Sequence, residues 1–163
     1  MTVSEMPADA PAAIGAVLYD LATRAARRLP RDMSLTSAAT LATLQRTGPR
    51  RITDLAMAER VTQPAMTALV RVMEESGLVQ RRGDPSDRRV TLVWLTEAGA
   101  EYVRRRRRLG IQAFERLIGG LGGGEAEALL AALPALEHLA ELERADRGEG
   151  SEQQLGSGSA ESR

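Results

Sequence analysis

Residues 81–96 read RRGDPSDRRVTLVWLT, and they constrain the fold more than any other stretch of the chain. Two β-favouring runs, Leu78 to Arg82 and Val90 to Leu95, flank a tip made of Gly83, Asp84, Pro85, Ser86 and Asp87. Turn-forming residues between two such runs predict a hairpin, with Arg88 and Arg89 placed directly after its turn. Elsewhere the apolar residues recur at helical spacing. The expectation is a mainly α chain carrying one small β-hairpin.

Ile14, Val17, Leu18, Leu21, Ala25 and Leu29 follow the i, i+3, i+4, i+7 pattern and predict an amphipathic helix from about Pro11 to Pro30. Leu35, Ala38, Ala39, Leu41 and Leu44 mark a second helix, stopped by Gly48-Pro49. A short third helix has Thr53 as its N-cap, Asp54 at its positive end, and Leu55 and Ala56 facing inward. The fourth opens at Thr62, whose hydroxyl can cap it, with Pro64 in the first turn and Gly77 as a left-handed stop. Ala65, Leu69, Val72 and Met73 are its expected inner face. After the hairpin, Thr96-Glu97 opens a long helix carrying Val103, Phe114, Leu117 and Leu121, broken by Gly122-Gly123-Gly124. The last helix carries Leu129, Leu133, Leu136 and Leu139 and is bent by Pro134. Residues 1–10 are expected to fray, and the polar run 146–163 to be disordered.

The 163-residue chain is formally neutral, but its charge is unevenly spread and every positive side chain is an arginine. Residues 45–108 hold fourteen arginines against eight acids, and residues 109–163 hold four against ten. A basic middle section points to a polyanionic partner, and guanidinium can grip phosphate or guanine through two parallel bonds. With no cysteine there is no disulfide framework, thiolate site or thiol switch. A lone histidine, His138, is too little for a typical zinc site and is expected to be structural or solvent-tipped. No run is long enough to span a bilayer and no signal-peptide core is present, so a cytoplasmic protein is expected. Nor is there a nucleophile–base pair, metal set or phosphate loop: GLGGGE lacks the Lys-Ser/Thr and the preceding strand of one. The chain reads as a non-enzyme without a cofactor.

Function therefore rests on the third and fourth helices, joined by AERVTQ, together with the hairpin: a helix-turn-helix followed by a β-wing. The first of the two helices braces the second, whose outer face can enter a major groove. Thr62, Gln63 and Pro64 begin that second helix, and Gln63, Thr67 and Arg71 form one stripe at i, i+4 and i+8. Glutamine can pair with adenine, threonine can touch a thymine methyl or a phosphate, and arginine can pair with guanine or a phosphate. In the wing, Arg81 and Arg82 precede the tip and can touch backbone phosphate. Asp87 can stiffen the turn, either by bonding backbone amides or by holding an arginine. Arg89 can reach the minor groove, where negative potential is concentrated, with Arg88 as a backbone or groove contact.

Three further features are assigned less specific roles. The run Arg104–Arg108 spans more than a helical turn, so its members cannot share one ligand and form mainly a solvated surface. Trp94 alternates with Val90 and Leu92 on one strand face and is expected to pack there. Tyr19, Tyr102 and Phe114 are expected to be core or dimer residues.

The segment LVQRRGDPSDRRVTLVWLTEAG closely resembles the wing of the MarR family (multiple antibiotic resistance regulators), whose signature is Asp-x-Arg followed by a strand ending in Leu-Thr. Asp87, Arg89, Leu95 and Thr96 occupy those positions. ITDLAMAERVTQPAMTALVRVMEESGLV is similar to the family's helix-turn-helix, and the resemblance covers roughly residues 11 to 145. It implies a single domain over 11–145, with a winged helix-turn-helix at 35–95 and dimerisation helices at 11–30 and 97–145. It further implies a homodimeric regulator of transcription, with paired recognition helices reading a palindromic operator in double-stranded DNA. Release by a small-molecule effector, in many members phenolic, is implied as well. Family members often carry a basic residue where this chain has Ala68, and an Asp-Arg pair where it has Arg71-Val72, so base readout is expected to shift onto Arg71. The competing expectation is a winged-helix module for protein contacts with no specific DNA site.

Overall fold

A computed structural model describes residues 7–84, 87, 89–143 and 145. Pro85, Ser86 and Arg88 of the hairpin tip, the first six residues and the polar run from 146 onward lie outside the described residues. The element order is α1 (Ala10–Arg28), α2 (Leu35–Thr47), α3 (Ile52–Ala58), α4 (Gln63–Glu75), β1 (Val79–Gly83), β2 (Thr91–Leu95), α5 (Glu97–Ile118) and α6 (Gly123–Ala131). The chain is helical again over 133–143, after a break at Ala132. That break falls two residues before Pro134, so the expected bend is an interruption, with the proline in the new first turn where its missing N–H is tolerated.

The main core lies between α2 and β2, with α5 along its edge. Leu41, Leu44, Leu55, Ala56, Met66, Val70, Met73, Val79 and Val93 form one buried cluster, with Leu69, Leu95, Tyr102 and Val103 against its edge. The β-strands pair antiparallel from Val79 opposite Leu95 to Gly83 opposite Thr91. A third, one-residue strand joins them. Arg50 N donates to Val93 O at 3.2 Å, and Val93 N donates to Arg50 O at 2.8 Å. A single extended residue after Gly48-Pro49 leaves no periodic trace in a sequence.

The cap at Thr62 and the stop at Gly77 form as expected: Thr62 Oγ1 accepts Ala65 N, and Gly77 adopts φ 71° at the end of α4. At the start of α5, Thr96 Oγ1 accepts Gly99 N. Other positions differ. α3 begins at Ile52 behind an Arg51 cap that makes no side-chain bond, so Thr53 sits inside the first turn and bonds Asp54 instead. In α2 the buried side is Ser37, Thr40, Leu41 and Leu44, whereas Leu35 is 68% exposed. Thr40 is buried without penalty because its hydroxyl donates to Thr36 O at 2.8 Å. In α4 the inner stripe is Met66, Val70 and Met73, with Leu69 at its flank; Ala65 is exposed and Val72 is 58% exposed. Methionine and valine at 66 and 70 outcompete alanine and valine at 65 and 72 for the core, which rotates the helix relative to the expected face. The strands start one residue later than expected, and α5 stops at Ile118, leaving Leu121 in a turn.

Two contacts seat α5. Thr96 Oγ1 donates across to the carbonyl oxygens of Gly77 (2.7 Å) and Leu78 (3.0 Å), and Gly99 lies so close to β1 that a Cβ there would stand 2.1 Å from Leu78 O. Further along, Tyr102 Oη donates to Asp32 Oδ1 at 2.8 Å, and Arg106 Nη1 donates to Pro30 O at 2.9 Å. These bonds tie the α1–α2 link to α5. Burial, and then the bond to Asp32, raise the Tyr102 pKa above its ordinary value.

α1 and α6 bury no residue. The arginine run is mostly solvent-facing, as its length dictates, and two of its exposed members use nearby acids: Arg104 pairs with Glu97 and Glu101, and Arg108 with Glu101. Those two arginines hold the Glu101 carboxyl below its ordinary pKa. Arg106 is the exception, turned toward the α1–α2 link and only 14% exposed.

Candidate nucleic-acid interface

The outer side of α4 and the base of β1 together form a groove of about 670 Å³ lined by Gln63, Pro64, Thr67, Ala68, Arg71, Val72, Glu75 and Arg81. Because the inner stripe is set by Met66, Val70 and Met73, the residues opposite it are Pro64, Ala68, Arg71 and Glu75, spaced four, three and four apart. The groove therefore gathers five of the ten sequence-predicted residues: Gln63, Pro64, Thr67, Arg71 and Arg81. Thr62, the N-cap of α4, is not among the lining residues.

Thr67, Arg71 and Arg81 are already held. Thr67 Oγ1 donates to Gln63 O at 2.8 Å, so its single proton is committed to the helix and a lone pair and the methyl remain for a ligand. Arg71 Nε donates to Glu75 Oε1 at 2.8 Å, and that bond raises the arginine pKa. Arg81 is anchored from the helix: its backbone N donates to Glu74 Oε1 at 3.0 Å, and its Nε lies 3.4 Å from Glu74 Oε2.

Arg81 and Arg82, adjacent in sequence, part company because strand neighbours point to opposite faces. Arg81 joins the α4 groove. Arg82 turns to the other wing face, where Nη2 donates to Gln80 Oε1 at 2.9 Å and its guanidinium lies 5.9 Å from the centre of the Trp94 ring. Trp94 is half-buried beneath it, outside the core cluster, and its Nε1 is a buried donor without a partner among the described residues. The expected packing of Trp94 is thus with an arginine on the wing surface rather than with the core.

At the wing tip, Asp87 Oδ1 accepts Arg89 N at 3.0 Å, and Val90 N donates to Asp87 O at 2.9 Å. Of the two ways open to Asp87, it stiffens the turn by bonding a backbone amide. Arg89 is exposed there, and Arg88 lies outside the described residues. Sequence reasoning missed Ala68, Val72 and Glu75 as groove residues. The i, i+4 spacing of Arg71 and Glu75 was the signal available for the last. Among the described residues, no set of His, Cys, Asp or Glu could hold a metal ion, and no helix is long and apolar enough to cross a membrane.

A bracing helix, a second helix with an open outer face and a following hairpin with an arginine at its tip define a winged helix-turn-helix DNA-binding protein. Comparison with known proteins agrees. The sequence pattern of the MarR family matches residues 33–91. An uncharacterised HTH-type transcriptional regulator of Mycobacterium bovis is 33% identical over 100 residues, which are 61% of this chain and 70% of that one. The HTH-type transcriptional repressor NicR of Pseudomonas putida is 36% identical over 101 residues, 61% of this chain and 64% of NicR. In structure, a mutant of Staphylococcus aureus MepR bound to an oligodeoxyribonucleotide aligns with a TM-score of 0.62 at 23% identity, over 81% of this chain and 96% of that one. The chain belongs to the MarR family and is a DNA-binding transcriptional regulator, not an enzyme.

Proposed function

We propose that the protein is a homodimeric repressor that reads a palindromic operator in duplex DNA and is released by a small effector. The observation that carries this is the groove itself: an exposed helix face bearing Gln63, Thr67 and Arg71, continuous with Arg81 at the base of the wing. Thr62 and Pro64 set the start of the reading helix. Arg71 reads a base edge, Arg81 and Arg82 contact backbone phosphate, Arg89, set by Asp87, enters the minor groove, and Arg88 is a further backbone or groove contact. NicR is a repressor and MepR binds an oligodeoxyribonucleotide; both support carrying these roles to this chain.

Dimerisation through 11–30 and 97–145, flanking a reading unit at 35–95, is supported by apolar surface that the single chain leaves open. Val17 is 60% exposed, Ile14 50%, Leu130 70% and Leu142 54%. A stripe of this kind on helices with no buried residue fits a two-fold partner, which would set the half-sites about 34 Å apart. An effector is supported by a cavity of about 530 Å³ between the end of α1, the α1–α2 link and α5, with Leu29, Pro30, Met33 and Leu35 on its walls and Arg27 and Arg106 at its edge. Its volume lies in the range of small-molecule sites.

The test is a selection of fragments from the source genome by purified protein at near-physiological salt, with Arg89→Ala run beside it. Enrichment of a palindrome by the native protein and its loss in the variant is the expected result. Enrichment of no sequence by either protein would overturn the operator reading.

A further inference from the structure

The groove contains an acid, which a surface built only for phosphate would exclude. Among the residues lining it, Glu75 is the one carboxylate, and its side chain is 60% exposed. It sits on the outermost stripe of α4 with Arg71 one turn before it, and its Oε1 accepts Arg71 Nε at 2.8 Å. The neighbouring acid, Glu74, turns the other way and holds Arg81 across the gap to β1. Two consecutive carboxylates thus fix the two arginines of one groove.

We propose that Glu75 is a specificity-determining residue: it positions Arg71 for a base edge and weakens attachment to DNA through phosphate alone. This rests on the reading above that the outer face of α4 meets DNA. A free arginine on an exposed helix swings to the nearest phosphate, and each such contact adds affinity without sequence information. Anchoring Nε to a carboxylate on the next helical turn restricts that swing and leaves the terminal nitrogens Nη1 and Nη2 outside the bond. Base recognition depends on a guanidinium held in a fixed plane, because its donors must meet two acceptors at once. The carboxylate charge acts in the same direction. It cancels part of the positive charge of Arg71 and Arg81, and it repels phosphate in every register where the groove lies against backbone. In the cognate register Arg71 faces a base, and that repulsion is smallest. Loss of the charge should therefore help wrong sequences more than the right one.

The experiment compares the wild type, Glu75→Gln, Arg71→Ala and the double variant. A randomised duplex library selected with the wild type supplies the site. Binding of that duplex, and of a shuffled duplex of equal length and base composition, is then measured by fluorescence anisotropy across a salt series. Both positions are exposed, and thermal melts check that the variants remain folded. For Glu75→Gln the expected result is a threefold to tenfold gain on the shuffled duplex and a similar or weaker hold on the site. The preference should fall about tenfold, and the salt slope on the shuffled duplex should steepen by about one phosphate contact. Adding Glu75→Gln to Arg71→Ala should cost less preference than it does in the wild type, because the positioning part of its effect acts through Arg71.

If Arg71→Ala weakens the site but Glu75→Gln changes neither preference nor salt slope, the role of Glu75 is overturned while the DNA-reading face stands. If Arg71→Ala has no effect on the selected site, or the wild type selects none, the reading of the α4 face fails and takes the role of Glu75 with it.

Discussion

The winged-helix lobe and the flanking helices solve the burial problem in opposite ways. Between α2 and β2 the chain completes its own core: Leu41, Leu55, Met66, Val70 and Val93 are wholly removed from solvent. α1 and α6 are equally rich in leucine, valine and alanine, yet neither buries a residue. Apolar content alone therefore does not make a core. What differs is whether a second element from the same chain stands opposite. α4 meets α3 and β1, whereas α1 packs mainly on α5 and leaves Ile14, Val17 and Leu21 exposed. One lobe is closed by its own sequence. The other, in the dimer we propose, is closed by a second copy.

That contrast can be broken by substitution. Leu41→Ala, in the closed lobe, should cost about 2–5 kcal/mol of stability, read from urea melts. A loss below about 1 kcal/mol would mean the lobe is loosely packed. Leu130→Glu and Val17→Glu should each raise the dimer dissociation constant at least about a hundredfold, roughly 3 kcal/mol, since each places an unpaired charge in an apolar interface. A pair of variants that still sediment as the wild type does would show those faces to be solvent surface.

Smaller changes sharpen the comparison at the seam. Gly99→Ala would push a methyl into the Leu78 carbonyl, and about 1–3 kcal/mol of stability should be lost as α5 shifts off β1. Arg89→Ala should leave folding and assembly intact and weaken operator binding by about 1–3 kcal/mol in matched salt. Tyr102→Phe should cost about 0.5 kcal/mol at neutral pH, because its bond to Asp32 is partly exposed. Here the sign with pH is fixed. The folded state raises the tyrosine pKa above 10.0, so the native chain holds the proton more tightly than the unfolded one. The stability from that proton is complete below about pH 10 and falls as pH rises toward the folded value. Tyr102→Phe should abolish that alkaline loss, as thermal melts from pH 8 to 11 would reveal.

Local chemistry was legible in the sequence: the cap at Thr62, the start of α5 at Thr96, the left-handed Gly77, the hairpin, and Asp87 bonding its own turn. Each depends on residues within a few positions of one another, so order along the chain carries the information. Facing was harder to read. The true inner stripe of α4 differs from the expected one because Ala65, Met66, Leu69, Val70, Val72 and Met73 offer two overlapping apolar faces, and only contact with α2, α3 and β1 chooses between them. That choice turned Val72 outward and brought Glu75 to the centre of the groove. Likewise the separation of Arg81 from Arg82, the seating of Arg50 against Val93 and the bond between Tyr102 and Asp32 link residues that the chain order keeps apart or treats alike. The sequence by itself determined which segments are helix, turn and strand, since these follow from backbone preferences and short-range bonds. Only the tertiary structure decided which side of each segment meets the core and which stays open for the DNA contact we propose, because that depends on the volume and shape of the partner surface.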